Sequence, residues 1–168
     1  MLSGEVMIMM NWTQKEASLL KDLKGQEQLC VDKYGKYAQQ AHDPELQQLF
    51  RQIQQVEQQH LQTVTTLMNG QLPQQGGQQQ NQQAQQVPHA EPSLPQGMSV
   101  QQAMAEDKFL CEDALCTEKE VSGAYNTSIF EFRDPQVRQA LNQLQSAEQE
   151  HGEMIYQYMA RNGMYQAQ

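Results

Sequence analysis

Two Asp-Pro dipeptides, Asp43-Pro44 and Asp134-Pro135, stand 91 residues apart, each between two long stretches with apolar residues at helical spacing. The same offset lays Tyr34 on Tyr125 and Met68 on Met159, so the chain is a duplicated unit. Asp is a strong N-cap acceptor and Pro is suited to the first helical position, so each dipeptide starts a helix directly after another has ended. Each half is therefore a helical hairpin. A turn this short makes its two helices antiparallel neighbours.

The helix limits follow from capping signals. Thr13, followed three residues later by Glu16, opens helix 1, which runs to Ala41. Helix 2 runs from Asp43-Pro44 to Asn69-Gly70. Ser99 with Gln102 opens helix 3, and helix 4 runs from Asp134-Pro135 to Asn162-Gly163. Between the hairpins, residues 71–97 are rich in Gln, Gly and Pro and carry no face that could be buried, which marks a linker. A helix of this length is about 40 Å long, and a linker of that size, at about 3.3 Å per residue, reaches roughly twice as far. It can cross the whole bundle. Antiparallel pair, long crossover and second antiparallel pair is the connectivity of a ferritin-like four-helix bundle. The expected architecture is all-α: an N-terminal arm over 1–12, hairpins over 13–70 and 98–168 that form one domain, and the linker over 71–97.

Composition narrows the function. The 168 residues carry 11 Lys and Arg against 20 Asp and Glu, a net charge of −9 with no basic stripe, so nucleic acid is not an expected partner. Glutamine fills 34 positions and supplies most of the surface polarity. Three irregularly spaced cysteines, Cys30, Cys111 and Cys116, make neither a disulfide scaffold nor a rubredoxin-type iron site. Residues 1–12 lack the charged and apolar regions of a secretory signal, and no stretch approaches the length of a transmembrane helix. Synthesis in the cytoplasm is expected.

The apolar seam contains acids and histidines. In helix 1 a 3,4 alternation selects Leu20, Leu23, Glu27, Cys30, Tyr34, Tyr37 and Ala41. In helix 2 it selects Leu46, Phe50, Ile53, Glu57, His60, Val64 and Leu67. The equivalent seam of helix 3 holds Cys111, Ala114, Glu118, Val121, Tyr125, Ser128 and Phe132, and that of helix 4 holds Val137, Leu141, Leu144, Glu148, His151, Ile155 and Tyr158. Four carboxylates and two imidazoles at one level of a core would each cost several kcal/mol uncompensated, on the order of what isolated buried ions cost. Two metal ions would offset that. A Glu and a His at i and i+3 share a helix face, and a Glu-x-x-His from each of two helices plus one Glu from each of the others is the ligand set of di-iron and di-manganese carboxylate bundles. In this scheme Glu57 and Glu148 bridge, Glu27 and His60 complete one ion, Glu118 and His151 the other, and Tyr34 and Tyr125 hydrogen-bond the carboxylates. Iron is favoured over manganese.

The remaining candidates read as structure. Glu112, Glu120, Glu131, Glu150 and Glu153 fall off the seam and belong to solvated faces, and His42 and His89 belong to a turn and the linker. Cys30 and Cys111 are small buried hydrophobes. Trp12 staples the start of helix 1.

The stretch LCEDALCTEKEVSGAYNTSIFEFRDPQVRQALNQLQSAEQEHGEMIYQYMARNGMY resembles the coat F domain of spore coat proteins, closely over helices 3 and 4 and more loosely over the first half. That resemblance implies a ferritin-like spore coat component, made in the mother cell, with other coat proteins or further copies of itself, such as a homodimer, as partners. The ligand pattern of Glu27, Glu57, His60, Glu118, Glu148 and His151, with Tyr34 and Tyr125, is similar to that of rubrerythrins. This implies the alternative function of a di-iron oxidoreductase, a peroxidase or ferroxidase in oxidative-stress defence.

Overall fold

The computed structural model describes residues 10–73 and 94–165. They form four helices, α1 (Gln14–Gln40), α2 (Pro44–Met68), α3 (Val100–Ile129) and α4 (Pro135–Arg161), and no strand. Residues 1–9 of the arm and most of the linker lie outside the described residues, so the expectations for them stand as stated.

Each helix starts where the sequence supplies a cap. The Thr13 hydroxyl accepts from the Glu16 N–H at 3.1 Å while Glu16 Oε2 accepts from the Thr13 N–H at 2.8 Å, a complete capping box. Ser99 and Gln102 repeat it at α3. Asp43 and Asp134 cap α2 and α4, and Pro44 and Pro135 occupy the first turn. Beyond α2, Gly70 takes a φ of 75°, the left-handed region that costs a glycine little, and its carbonyl accepts from the Met10 N–H at 3.0 Å. Trp12 donates its indole N–H to the Leu67 carbonyl at 3.0 Å and stands edge-on to Phe132.

The result is the expected all-α bundle of two hairpins. α1 packs on α2 and α3 on α4, and the hairpins meet along α1–α3 and α2–α4. Two carboxylates at equivalent repeat positions lock the ends. Asp107 of α3 accepts the His42 and Asp43 N–H groups of the first hairpin's turn at 2.8 and 2.9 Å. Glu16 of α1 accepts the Arg133 N–H of the second turn at 3.1 Å, and its other oxygen takes the Arg133 guanidinium, also at 3.1 Å. The end of α2 therefore lies beside the start of α1, and the start of α3 at the opposite end. These two helix ends are separated by about 40 Å, the length of the helices.

All seven seam positions expected in each of α2, α3 with the turn after it, and α4 are buried. Helix α1 departs at one residue. Tyr37 is only half-buried, and Ala38 takes the inward place. An α-helix drifts by about 20° per heptad from a strict 3.5-residue stripe, and here the drift turns Tyr37 towards α3, where its hydroxyl bonds Asp113.

Candidate metal centre

Midway along the bundle every helix contributes one or two ionisable side chains to the core. Glu27, Glu57 and Glu148 are buried to 1% exposure or less, Glu118 to 3%, His60 to 5% and His151 to 2%. The structure brings all six together as two overlapping clusters: Glu27, Glu57, His60 and Glu148 form one, and Glu57, Glu118, Glu148 and His151 the other. Within each, one donor atom per residue lies within 4.8 Å of all the others. Glu57 and Glu148, the residues of the two Glu-x-x-His pairs, belong to both.

The contacts follow the pseudo-twofold symmetry of the repeat. His60 Nδ1 lies 2.9 Å from Glu148 Oε1, 3.2 Å from Glu57 Oε2 and 3.9 Å from Glu27 Oε2. His151 Nδ1 lies 3.1 Å from Glu57 Oε1 and 3.6 Å from both Glu118 Oε2 and Glu148 Oε2. The two imidazoles stack with centroids 5.6 Å apart. Tyr34 donates to Glu118 and Tyr125 to Glu27, so each tyrosine serves the carboxylate of the opposite hairpin.

Charge and hydrogen bonding show what this core is short of. Among the described residues five carboxylate oxygens at the site, Glu27 Oε2, both of Glu57, Glu118 Oε2 and Glu148 Oε2, are buried with no hydrogen-bond partner, as is His151 Nδ1. Buried polar atoms are rarely left so. Burial, with the neighbouring Glu148 and Glu57 charges, pushes the Glu27 carboxyl up to about 9. Burial likewise carries Glu118 up to about 8, against the pull of His151. Burial also opposes ionisation of Glu57 and Glu148, but the close His151 and His60 imidazoles outweigh it and hold both carboxyls below the usual range. His60 is disfavoured as a cation by burial, yet Glu148 and Glu57 raise it to about 10, and His151 is raised for the same kind of reason. At neutral pH the six groups thus hold four protons, on Glu27, Glu118, His60 and His151, and are neutral as a set. Two divalent cations in place of the four protons would leave the same net charge.

Oxygen and imidazole donors of this kind suit iron, manganese and zinc. The shared Glu57 and Glu148, and the unsatisfied atoms that point at one another, fit a pair of ions. Glu27 and His60 lie to one side and Glu118 and His151 to the other.

The sequence reading did not single out Asp107 or Thr117, both buried. Glu112, Glu120, Glu131, Glu150 and Glu153 are exposed, and His42 is half-buried against Glu106, with Nε2 2.6 Å from Oε2. Cys30 is buried within the field of the four glutamates, and that burial together with their charge raises its thiol far above the ordinary range. Cys116 is exposed.

Residues 106–168 match the Coat F domain. The match begins beside the Asp107 clamp, takes in most of α3 and the whole of α4, and contains Glu118, Glu148 and His151. It supports the resemblance to spore coat proteins of the coat F family. No curated protein and no solved structure gives a significant match. None of the described helices is long and apolar enough to cross a membrane.

Proposed function

We propose that the protein is a spore coat component whose four-helix bundle holds two metal ions, iron in preference to manganese. The coat assignment is supported by the Coat F match over residues 106–168. The metal assignment is carried by one observation, the convergence of buried carboxylate oxygens that have no hydrogen-bond partner. Glu57 and Glu148 would bridge the ions, Glu27 and His60 would complete one, and Glu118 and His151 the other. A bound pair supplies Lewis acidity and, if it is iron, one-electron redox chemistry. The chain's own contribution is to exclude water, to hold the outer carboxylates through Tyr34 and Tyr125, and to take up protons on the same groups when metal leaves.

The location is tested by quantitative proteomics of washed spores. Enrichment in the coat fraction is expected, with other coat proteins or further copies as neighbours. Abundance in growing cells with absence from the coat would overturn it.

A second reading, a rubrerythrin-like peroxidase or ferroxidase, is favoured by the sharing of Glu57 and Glu148 between both clusters, because two coupled ions suit a two-electron oxidant such as peroxide. Turnover of H₂O₂ or of Fe²⁺ that is lost in Glu148→Ala separates it from a purely structural role.

A further inference from the structure

The repeat allows the two halves to be compared position by position, and one of their differences falls at the α1–α3 interface. The contacts that build each hairpin recur: Gln54 donates to the Val31 carbonyl and Gln145 to the equivalent Ser122 carbonyl, both at 3.1 Å. The α1–α3 seam is different at its two ends. Over the Tyr34–Glu118 bond lies Lys33, whose Nζ donates to Asp113 Oδ2 at 2.8 Å and to Thr117 Oγ1 at 2.7 Å. The equivalent position over the Tyr125–Glu27 bond is Ala124, which brings no charge there.

What remains there is oxygen. Asp22 stands where the other end has Asp113, and it is exposed. Gln26 stands where the other end has Thr117. It lies seven residues before Lys33, hence on the face of α1 that Lys33 turns to α3. Its Oε1 is buried without a hydrogen-bond partner, immediately beside Glu27 in the chain.

We propose that the Asp22, Gln26 and Ala124 end of the α1–α3 seam is the route by which divalent cations reach the carboxylate cluster, and that Lys33 closes the other end. A carboxylate at the mouth, an amide oxygen half-way and Glu27 at the inner end are oxygen donors suited to a partly hydrated cation. An ammonium group on the path would repel it. The net charge of −9 draws cations to the surface in the first place. This inference rests on the metal-binding reading above.

The test mixes Co²⁺ alone with the metal-free full chain in a stopped-flow spectrometer and follows the visible bands of bound cobalt. Final stoichiometry is measured separately by elemental analysis. Ala124→Lys should slow uptake about tenfold, equivalent to about 1.4 kcal/mol on the barrier, with unchanged final stoichiometry. Adding Lys33→Ala should restore the rate by opening the opposite end, which also shows that the first substitution has not damaged the fold. Asp22→Asn, on the surface, should slow uptake severalfold where Glu150→Gln does not. Unchanged rates in both Ala124→Lys and Asp22→Asn, with cobalt still bound, would overturn the route and leave the metal site standing. A wild type that binds no cobalt would overturn the metal reading, and the route with it.

Discussion

Tyr34 of α1 donates its hydroxyl to Glu118 of α3, in the opposite hairpin, and Tyr125 returns the same bond to Glu27. The two bonds tie the hairpins together at the level of the acidic cluster, beside the His60–Glu148 and His151–Glu57 contacts between α2 and α4. They also assign each tyrosine to one half of the site.

Removing one hydroxyl should therefore act on one ion. Tyr34→Phe should weaken the ion held by Glu118 and His151, and Tyr125→Phe the ion held by Glu27 and His60, each by about 10–100-fold, the usual effect of losing a partner that orients a ligand. Two-step metal titrations of each variant check this. Equal weakening of both steps in both variants would contradict the assignment. In the metal-free protein each change should also cost about 1–3 kcal/mol of stability, since a buried carboxylate loses its donor.

Loading should release protons. At pH 7 Glu27 and Glu118, raised to about 9 and 8, are protonated, and His60, raised to about 10, and His151 are cations. All four protons must leave when the ions bind. Calorimetry in buffers of different ionisation enthalpy should give about four protons per chain at pH 7, by this count of groups, and affinity should rise with pH through that range. Release of one proton or none would contradict the charge state.

Acid should weaken the clamp at the second turn. Burial alone would raise the Glu16 carboxyl, but the bonds from Arg133 and Thr13 lower it from 4.5 to about 2. A depressed carboxyl contributes stability that is fully present above its unfolded value and is lost as pH falls through its folded value. The melting-point difference between wild type and Glu16→Gln should hold steady above pH 4.5 and shrink towards pH 2. A difference that does not change with pH would show that Glu16 acts through packing alone.

The seams and caps were legible in the sequence because they depend on local spacing. Helix α2 obeys its 3,4 alternation at every position from Leu46 to Leu67, and both Asp-Pro turns cap as their residue types require. Glu16 was legible only as half of a capping box. Its second role, with that of Asp107, needs a partner 117 or about 65 residues away, and no local pattern reports that. The signal that was available is their 91-residue equivalence. The crossed tyrosine bonds were hidden for a similar reason. Tyr34 lies two turns from Glu27 on its own helix, and only the antiparallel pairing of α1 with α3 brings it to Glu118 instead.

The crossover should matter by length rather than by order of residues. With α2 ending and α3 beginning at opposite ends of the bundle, a Gly/Ser chain of equal length in place of Gln74 to Gln86 should leave the melting transition unchanged. Removing residues 74–93 altogether would leave seven residues of the 71–97 linker, which span roughly 25 Å at 3.3 Å per residue, short of the ~40 Å to be crossed. Such a protein should pair its hairpins between copies and run as a dimer in sedimentation. A monomer that melts like wild type would contradict the antiparallel placement of α1 and α3.

The most direct test of the metal centre is elemental analysis of protein purified without a chelating tag and incubated with Fe²⁺ or Mn²⁺, with melting curves recorded with and without chelator. Two ions per chain are expected, with iron held in preference to manganese and a melting point that falls when they are removed, since binding to the folded state alone contributes about 2.7 kcal/mol at a hundredfold excess over Kd. Glu57→Ala and Glu148→Ala should each lose most of the metal, while the exposed Glu150→Ala keeps it. Less than one ion per chain, with identical melting in the presence and absence of chelator, would contradict the account and leave a bundle whose acidic core serves structure alone.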